Sequence, residues 1–83
     1  NTLVHLSIYP NPTKNRFRLS FEKRNSASIN LKIIDLKGSV ITTENSIYNN
    51  QMINTSDLTE GVYFVVFYQN GTPINSKKLV VLK

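Results

Sequence analysis

Few residues of this chain have the type and spacing to do chemistry. The single histidine, His5, falls in an N-terminal segment with no cysteine anywhere and no second histidine. A zinc site needs such companions, so His5 reads as a partly exposed bystander. The five carboxylates are Glu22, Asp35, Glu44, Asp57 and Glu60, and they sit in turns or at strand ends. Asp57 and Glu60 are near enough in sequence to chelate a cation beside loop carbonyls. The plainer reading is that Asp57 caps its own turn through the backbone. No Ser-His-Asp arrangement, glycine-rich phosphate loop or paired acid motif is visible, so neither an enzyme nor a cofactor is expected.

Binding chemistry is similarly thin. The aromatic residues are Tyr9, Phe17, Phe21, Tyr48, Tyr63, Phe64, Phe67 and Tyr68. Most are assigned to inward faces. Only Arg16 and Arg18, flanking Phe17, resemble the basic, aromatic face that stacks on nucleic acid, and nucleic acid is not expected as a partner. Asn54-Thr55-Ser56 and Asn70-Gly71-Thr72 fit the glycosylation pattern, but turn chemistry already explains the second.

The chain that must position these residues has 83 of them, enough for one domain and one core. A domain of this size buries only about 60% of the surface its unfolded chain exposes. It has no spare interior for a deep substrate pocket. Disulfides are excluded, which suits an exported protein that must not cross-link in transit. The net charge of +5 comes from ten basic residues scattered along the chain, the signature of a positively biased soluble surface. No apolar run approaches ~20 residues. The chain starts at Asn1 with no signal peptide and reads as a piece cut from a longer protein.

Helical periodicity is absent and period-two alternation is plentiful. Arg16 to Glu22 sets Phe17, Leu19 and Phe21 on one face. Ser28 to Ile33 does the same with Ile29, Leu31 and Ile33. Further strands are expected at Leu3 to Tyr9, Ser39 to Glu44, Gln51 to Asn54, Val62 to Tyr68, and from about Ile74 to Lys83. Val62 to Tyr68 is apolar on both faces, as for a central strand covered on both sides. Pro10-Asn11-Pro12 stops the first strand. Asp35-Leu36-Lys37-Gly38 is a short turn in which Gly38 takes positive φ, and Asn70-Gly71 is a type I′ hairpin. About seven short strands predict an all-β fold, an immunoglobulin-like antiparallel β-sandwich, with a five-stranded OB-type barrel as the alternative.

Three features in order resemble one family. They are Ile8-Tyr9-Pro10-Asn11-Pro12, then Ile33-Ile34-Asp35-Leu36-Lys37-Gly38, then Leu58-Thr59-Glu60-Gly61-Val62-Tyr63-Phe64. Asn70-Gly71 follows, and Lys77-Lys78-Leu79-Val80-Val81-Leu82-Lys83 closes the chain. Together they resemble the type A C-terminal sorting domain of the type IX secretion system of Bacteroidetes, over nearly the whole length. The resemblance implies a single sorting domain, residues 1–83, at the end of a larger secreted protein. Its partners would be the outer-membrane translocon, shuttle proteins, a sortase-type cysteine protease and the upstream cargo domain. Its route would run through the periplasm to the cell surface or medium. Motif match assigns recognition to Gly61, Val62 and Tyr63 with Lys77, Lys78, Leu79, Val80, Val81, Leu82 and Lys83. Pro10, Asn11, Pro12, Gly38, Asn70 and Gly71 would set the fold. On this reading a free closing strand offers backbone groups for strand addition and basic side chains for steering. Deleting its last residues would stop export and leave the fold largely intact, and an open edge would permit dimers. The bland counterpart is that Lys77 and Lys78 only blunt an edge strand. The competing function is a carbohydrate-binding or adhesion module on a secreted enzyme.

Overall fold

The structure, a computed structural model, describes residues 2–83. Alternating apolar and polar residues fold as seven strands: β1 (Leu3–Tyr9), β2 (Arg16–Lys23), β3 (Ile29–Asp35), β4 (Val40–Glu44), β5 (Met52–Asn54), β6 (Gly61–Gln69) and β7 (Thr72–Val81). There is no helix among the described residues. The strands form two antiparallel sheets, ordered β1-β2-β5 and β4-β3-β6-β7. Lettered A, B, C, C′, E, F and G in chain order, one sheet is A-B-E and the other C′-C-F-G. This is an immunoglobulin-like sandwich in which the fourth strand pairs with the third rather than crossing to the first sheet. The OB-type barrel is excluded, because the two sheets stay separate.

The inward faces are those the alternation assigns. Phe17, Leu19, Ile29, Leu31, Ile33, Val65, Phe67, Leu79 and Val81 are all fully buried. Each large apolar side chain buried this way contributes about 1.5–3 kcal/mol against conformational entropy. The loop from β4 to β5 changes sheets. Ile47 plugs the gap, 3% exposed, with its N–H on the Ile29 carbonyl at 2.8 Å.

The expectation that Val62 to Tyr68 is covered on both sides is corrected. Tyr63, Val65 and Phe67 face the core, whereas Val62, Phe64, Val66 and Tyr68 are half-exposed. A two-layer sandwich has no third layer to cover that face. Cross-strand neighbours shield it instead, with Ile34 and Lys78 flanking Phe64. The Lys32 ammonium stands 4.9 Å from the Tyr68 ring centroid. The aromatic residues are accordingly less inward than expected: Phe17, Phe21, Tyr63 and Phe67 are buried, while Tyr9 and Tyr48 are 46% and 64% exposed.

The turns follow the sequence signals with one exception. Asn70 and Gly71 both take positive φ, 52° and 79°, as a type I′ turn requires. Gly38 has φ 90°. Asp35 is the last residue of β3, and its carboxylate accepts the N–H groups of Lys37 and Ser39, each at 2.9 Å. Asp57 does not cap its turn. Asn54 does, accepting the Ser56 N–H at 2.7 Å, while the Leu58 N–H donates to the Thr55 carbonyl at 3.0 Å. An Asn or Asp side chain reaches the backbone two residues onward, which favours the residue that opens the turn.

Candidate functional site

The closing strand β7 lies at the edge of the larger sheet, with β6 on its inner side. Gly61, Val62 and Tyr63 pair with Val81, Val80 and Leu79, so the two segments singled out in the sequence meet at one end of the domain. Leu79 and Val81 point inward and are fully buried; Lys78, Leu82 and Lys83 are exposed, and Lys77 and Val80 half-buried.

The outer side of β7 is not the free edge expected from sequence. The Lys78 carbonyl accepts Asn11 Nδ2 at 2.7 Å, and the Val80 N–H donates to Asn11 Oδ1 at 3.0 Å. The Val80 carbonyl accepts the Thr13 N–H, and the Leu82 N–H donates to the Thr13 carbonyl, both at 2.8 Å. Asn11 to Thr13 therefore act as a short added strand, parallel at Thr13 and Val81. Pro10 and Pro12 have no N–H to give. The Asn11 amide supplies the missing donor and acceptor from its side chain. Among the described residues, no backbone bond covers the outer side of Ser76, so only the stretch before Lys78 remains open.

Lys83 is also engaged. Its ammonium donates to the carbonyls of Lys14, Thr55 and Ser56 at 3.0, 3.3 and 3.3 Å. Its N–H donates to Glu60 Oε1 at 3.0 Å. The last residue thus ties the β1–β2 loop to the β5–β6 connection, and the basic side chains left for long-range attraction on this strand are Lys77 and Lys78. Gly61, at φ 157°, opens β6 in a conformation that L side chains rarely adopt. Two residues on, the Tyr63 hydroxyl donates to the Thr59 carbonyl at 2.7 Å and fixes the preceding turn.

At the same end lies an open cleft of about 460 Å³ between the β3–β4 turn and the β5–β6 connection. Leu36, Ile41, Leu58 and Val62 give it an apolar lining, and Asp35, Asp57 and Glu60 stand around it. Sequence reasoning missed this cleft. Its only sequence signal is that both contributing turns belong to the family motifs.

A family model described as "Secretion system C-terminal sorting domain" matches residues 7–82. The chain belongs to this family, the type IX secretion C-terminal sorting domains. No curated protein matches it. The match spans both the Asn11 segment and the whole of the strand it covers. Such sorting domains are not an enzyme family, and membership marks the protein for export by the type IX system.

Other candidate residues of the sorting domain stand apart. His5 is exposed, at φ 56° in an irregular stretch of β1. No group of three or more His, Cys, Asp or Glu gathers as a metal site among the described residues. Arg18 bonds the Asn50 carbonyl at 2.9 Å from the outer face of the smaller sheet. Asn70 and Gly71 lie at the far end of the β6–β7 hairpin, remote from Gly61 in the ladder.

The Asn11 contacts carry a direct expectation. Asn11→Ala removes two hydrogen bonds at an exposed position and lowers stability by about 1 kcal/mol. For a domain of this size that is a fall of about 4–8 °C in melting temperature. Thermal melts by circular dichroism check it, and an unchanged midpoint would show that the added strand does not brace β7.

Proposed function

We propose that this domain is the export signal of an upstream cargo, read by the outer-membrane translocon of the type IX system and its shuttle proteins. The cargo and sorting domain cross the inner membrane together, and the domain folds as a sandwich in the periplasm. The translocon then carries the chain outward. A sortase-type cysteine protease removes the domain near its N-terminal boundary, and the cargo is released or joined to an anionic lipopolysaccharide. The family match over residues 7–82 is the observation that carries this reading. The absence of cysteine supports it, because a tag shared by unrelated cargos must fold without cross-linking. Lys77, on the open stretch of β7, and Lys78, whose backbone is held by Asn11 but whose side chain is exposed, are proposed as translocon contacts. Leu79, Val80, Val81, Leu82 and Lys83, with Gly61, Val62 and Tyr63, are proposed to hold that surface in place.

A fusion tests the reading. A signal peptide and a fluorescent protein are placed before this domain and expressed in a type IX-competent bacterium. Fluorescence is expected at the cell surface or in the medium, and in the periplasm when the translocon is deleted. Periplasmic retention in both strains would instead favour a carbohydrate-binding or adhesion module.

A further inference from the structure

The acidic residues of this basic protein are unevenly placed. Three of its five carboxylates, Asp35, Asp57 and Glu60, stand around the cleft between the β3–β4 turn and the β5–β6 connection, with Lys37 the one cation lining it among the described residues. The rest of the surface carries nearly all the positive charge. Among the described residues no hydrogen bond engages the Asp57 carboxylate. The cleft also holds apolar surface in water. Leu36 is 69% exposed and Ile41 46% exposed. Single exposed aliphatic residues need no explanation, but here two share one concave site.

Backbone geometry puts Ile41 there. Ile33 pairs with Thr42 and Ile34 with Val40, which leaves Ile41 as the extra residue of a bulge. Bulges re-aim side chains, and this one directs an aliphatic group to the cleft. Beside it runs the outer edge of β4, which among the described residues has no second neighbour in its sheet. Val40 to Thr43 carry neither proline nor lysine, the usual protections of an open edge. The opposite edge strand, β7, is covered from Lys78 onward by Asn11 and Thr13.

We propose that this cleft is the docking groove for an extended segment of the export machinery carrying an aliphatic or aromatic anchor flanked by Lys or Arg. The inference rests on the sorting reading above. The anchor sits against Leu36, Ile41 and Val62, its cationic neighbours face Asp57 and Asp35, and its backbone runs along β4. A second copy of this chain is the weaker fit, because two bodies of charge +5 repel on approach.

The fusion described above tests this with Leu36→Arg combined with Ile41→Arg, both at exposed positions. Export is expected to fall more than about tenfold, the loss that follows removal of a central anchor contact. The purified variant keeps its melting temperature. Asp57→Lys, which spares the apolar floor, lowers export severalfold. Should the arginine pair destabilise the domain, Leu36→Ser with Ile41→Thr replaces it, since threonine suits a strand. Undiminished export of a folded variant overturns the groove while leaving the sorting role standing. Failure of the wild-type fusion overturns both. Sedimentation of a wild-type dimer that the variant dissociates would assign the cleft to self-association and likewise overturn the proposal.

Discussion

Removing Val81, Leu82 and Lys83 is expected to unfold the domain. Val81 is fully buried between the sheets, and deleting its side chain forfeits about 1.5–3 kcal/mol of apolar burial. The Leu82 N–H leaves the Thr13 carbonyl, and the Lys83 N–H leaves Glu60. Net hydrogen bonds of this kind contribute about 0.5–1.5 kcal/mol each. The Lys83 ammonium also leaves three carbonyls on two loops. A chain of 83 residues has only about 4–12 kcal/mol in total. The truncated protein is therefore expected to melt below about 37 °C and to show little cooperative transition by circular dichroism. A truncated domain with a near-native midpoint would refute this. The result matters for function because a three-residue deletion that stops export reports loss of fold before it reports loss of recognition. The contacts of the last residues argue against their being dispensable for folding, for a definite reason. The strand end is a core strand on one face and a tied edge on the other.

Much of the architecture is legible in the sequence because a sheet writes its burial with period two. Phe17, Leu19 and Phe21 against Arg16 and Arg18 fix one strand and its inward face, and Asn70-Gly71 fixes the hairpin between β6 and β7. Two things are not legible. The run Val62 to Tyr68 is apolar at every position, so alternation cannot tell a covered face from a half-exposed one; the number of layers decides it. The partner of an edge is the other. Pro10-Asn11-Pro12 announces the end of a strand, yet nothing local shows that Asn11 then reaches Lys78 and Val80, 67 and 69 residues away. The cleft escapes for the same reason. Leu36 and Ile41 read as turn and strand residues, and only the pairing of Asp35 with Tyr63 brings their turn beside Asp57 to Gly61.

Phe67→Ala and Phe64→Ala, three positions apart on the strongest strand, are expected to differ severalfold in effect. Phe67 is fully buried and pairs across β3 with Leu31, also fully buried. Its loss leaves a cavity in a core that close packing prevents from collapsing fully, at about 3–5 kcal/mol. The melting temperature should fall by more than about 12 °C. Phe64 lies on the outer face between Ile34 and Lys78 and is half-exposed. Part of its ring is in water already and no closed cavity forms, so truncation costs about 1 kcal/mol. Denaturant titration of both variants against the parent measures the difference, with the slope unchanged if neither alters the unfolded state. Equal losses would contradict the two-layer arrangement, since a strand covered on both faces penalises truncation on either side. A reversed order would mean that β6 has slipped by one residue, moving its entire inward set to solvent. The unequal outcome follows from a sandwich that spends all its layers on a single interior.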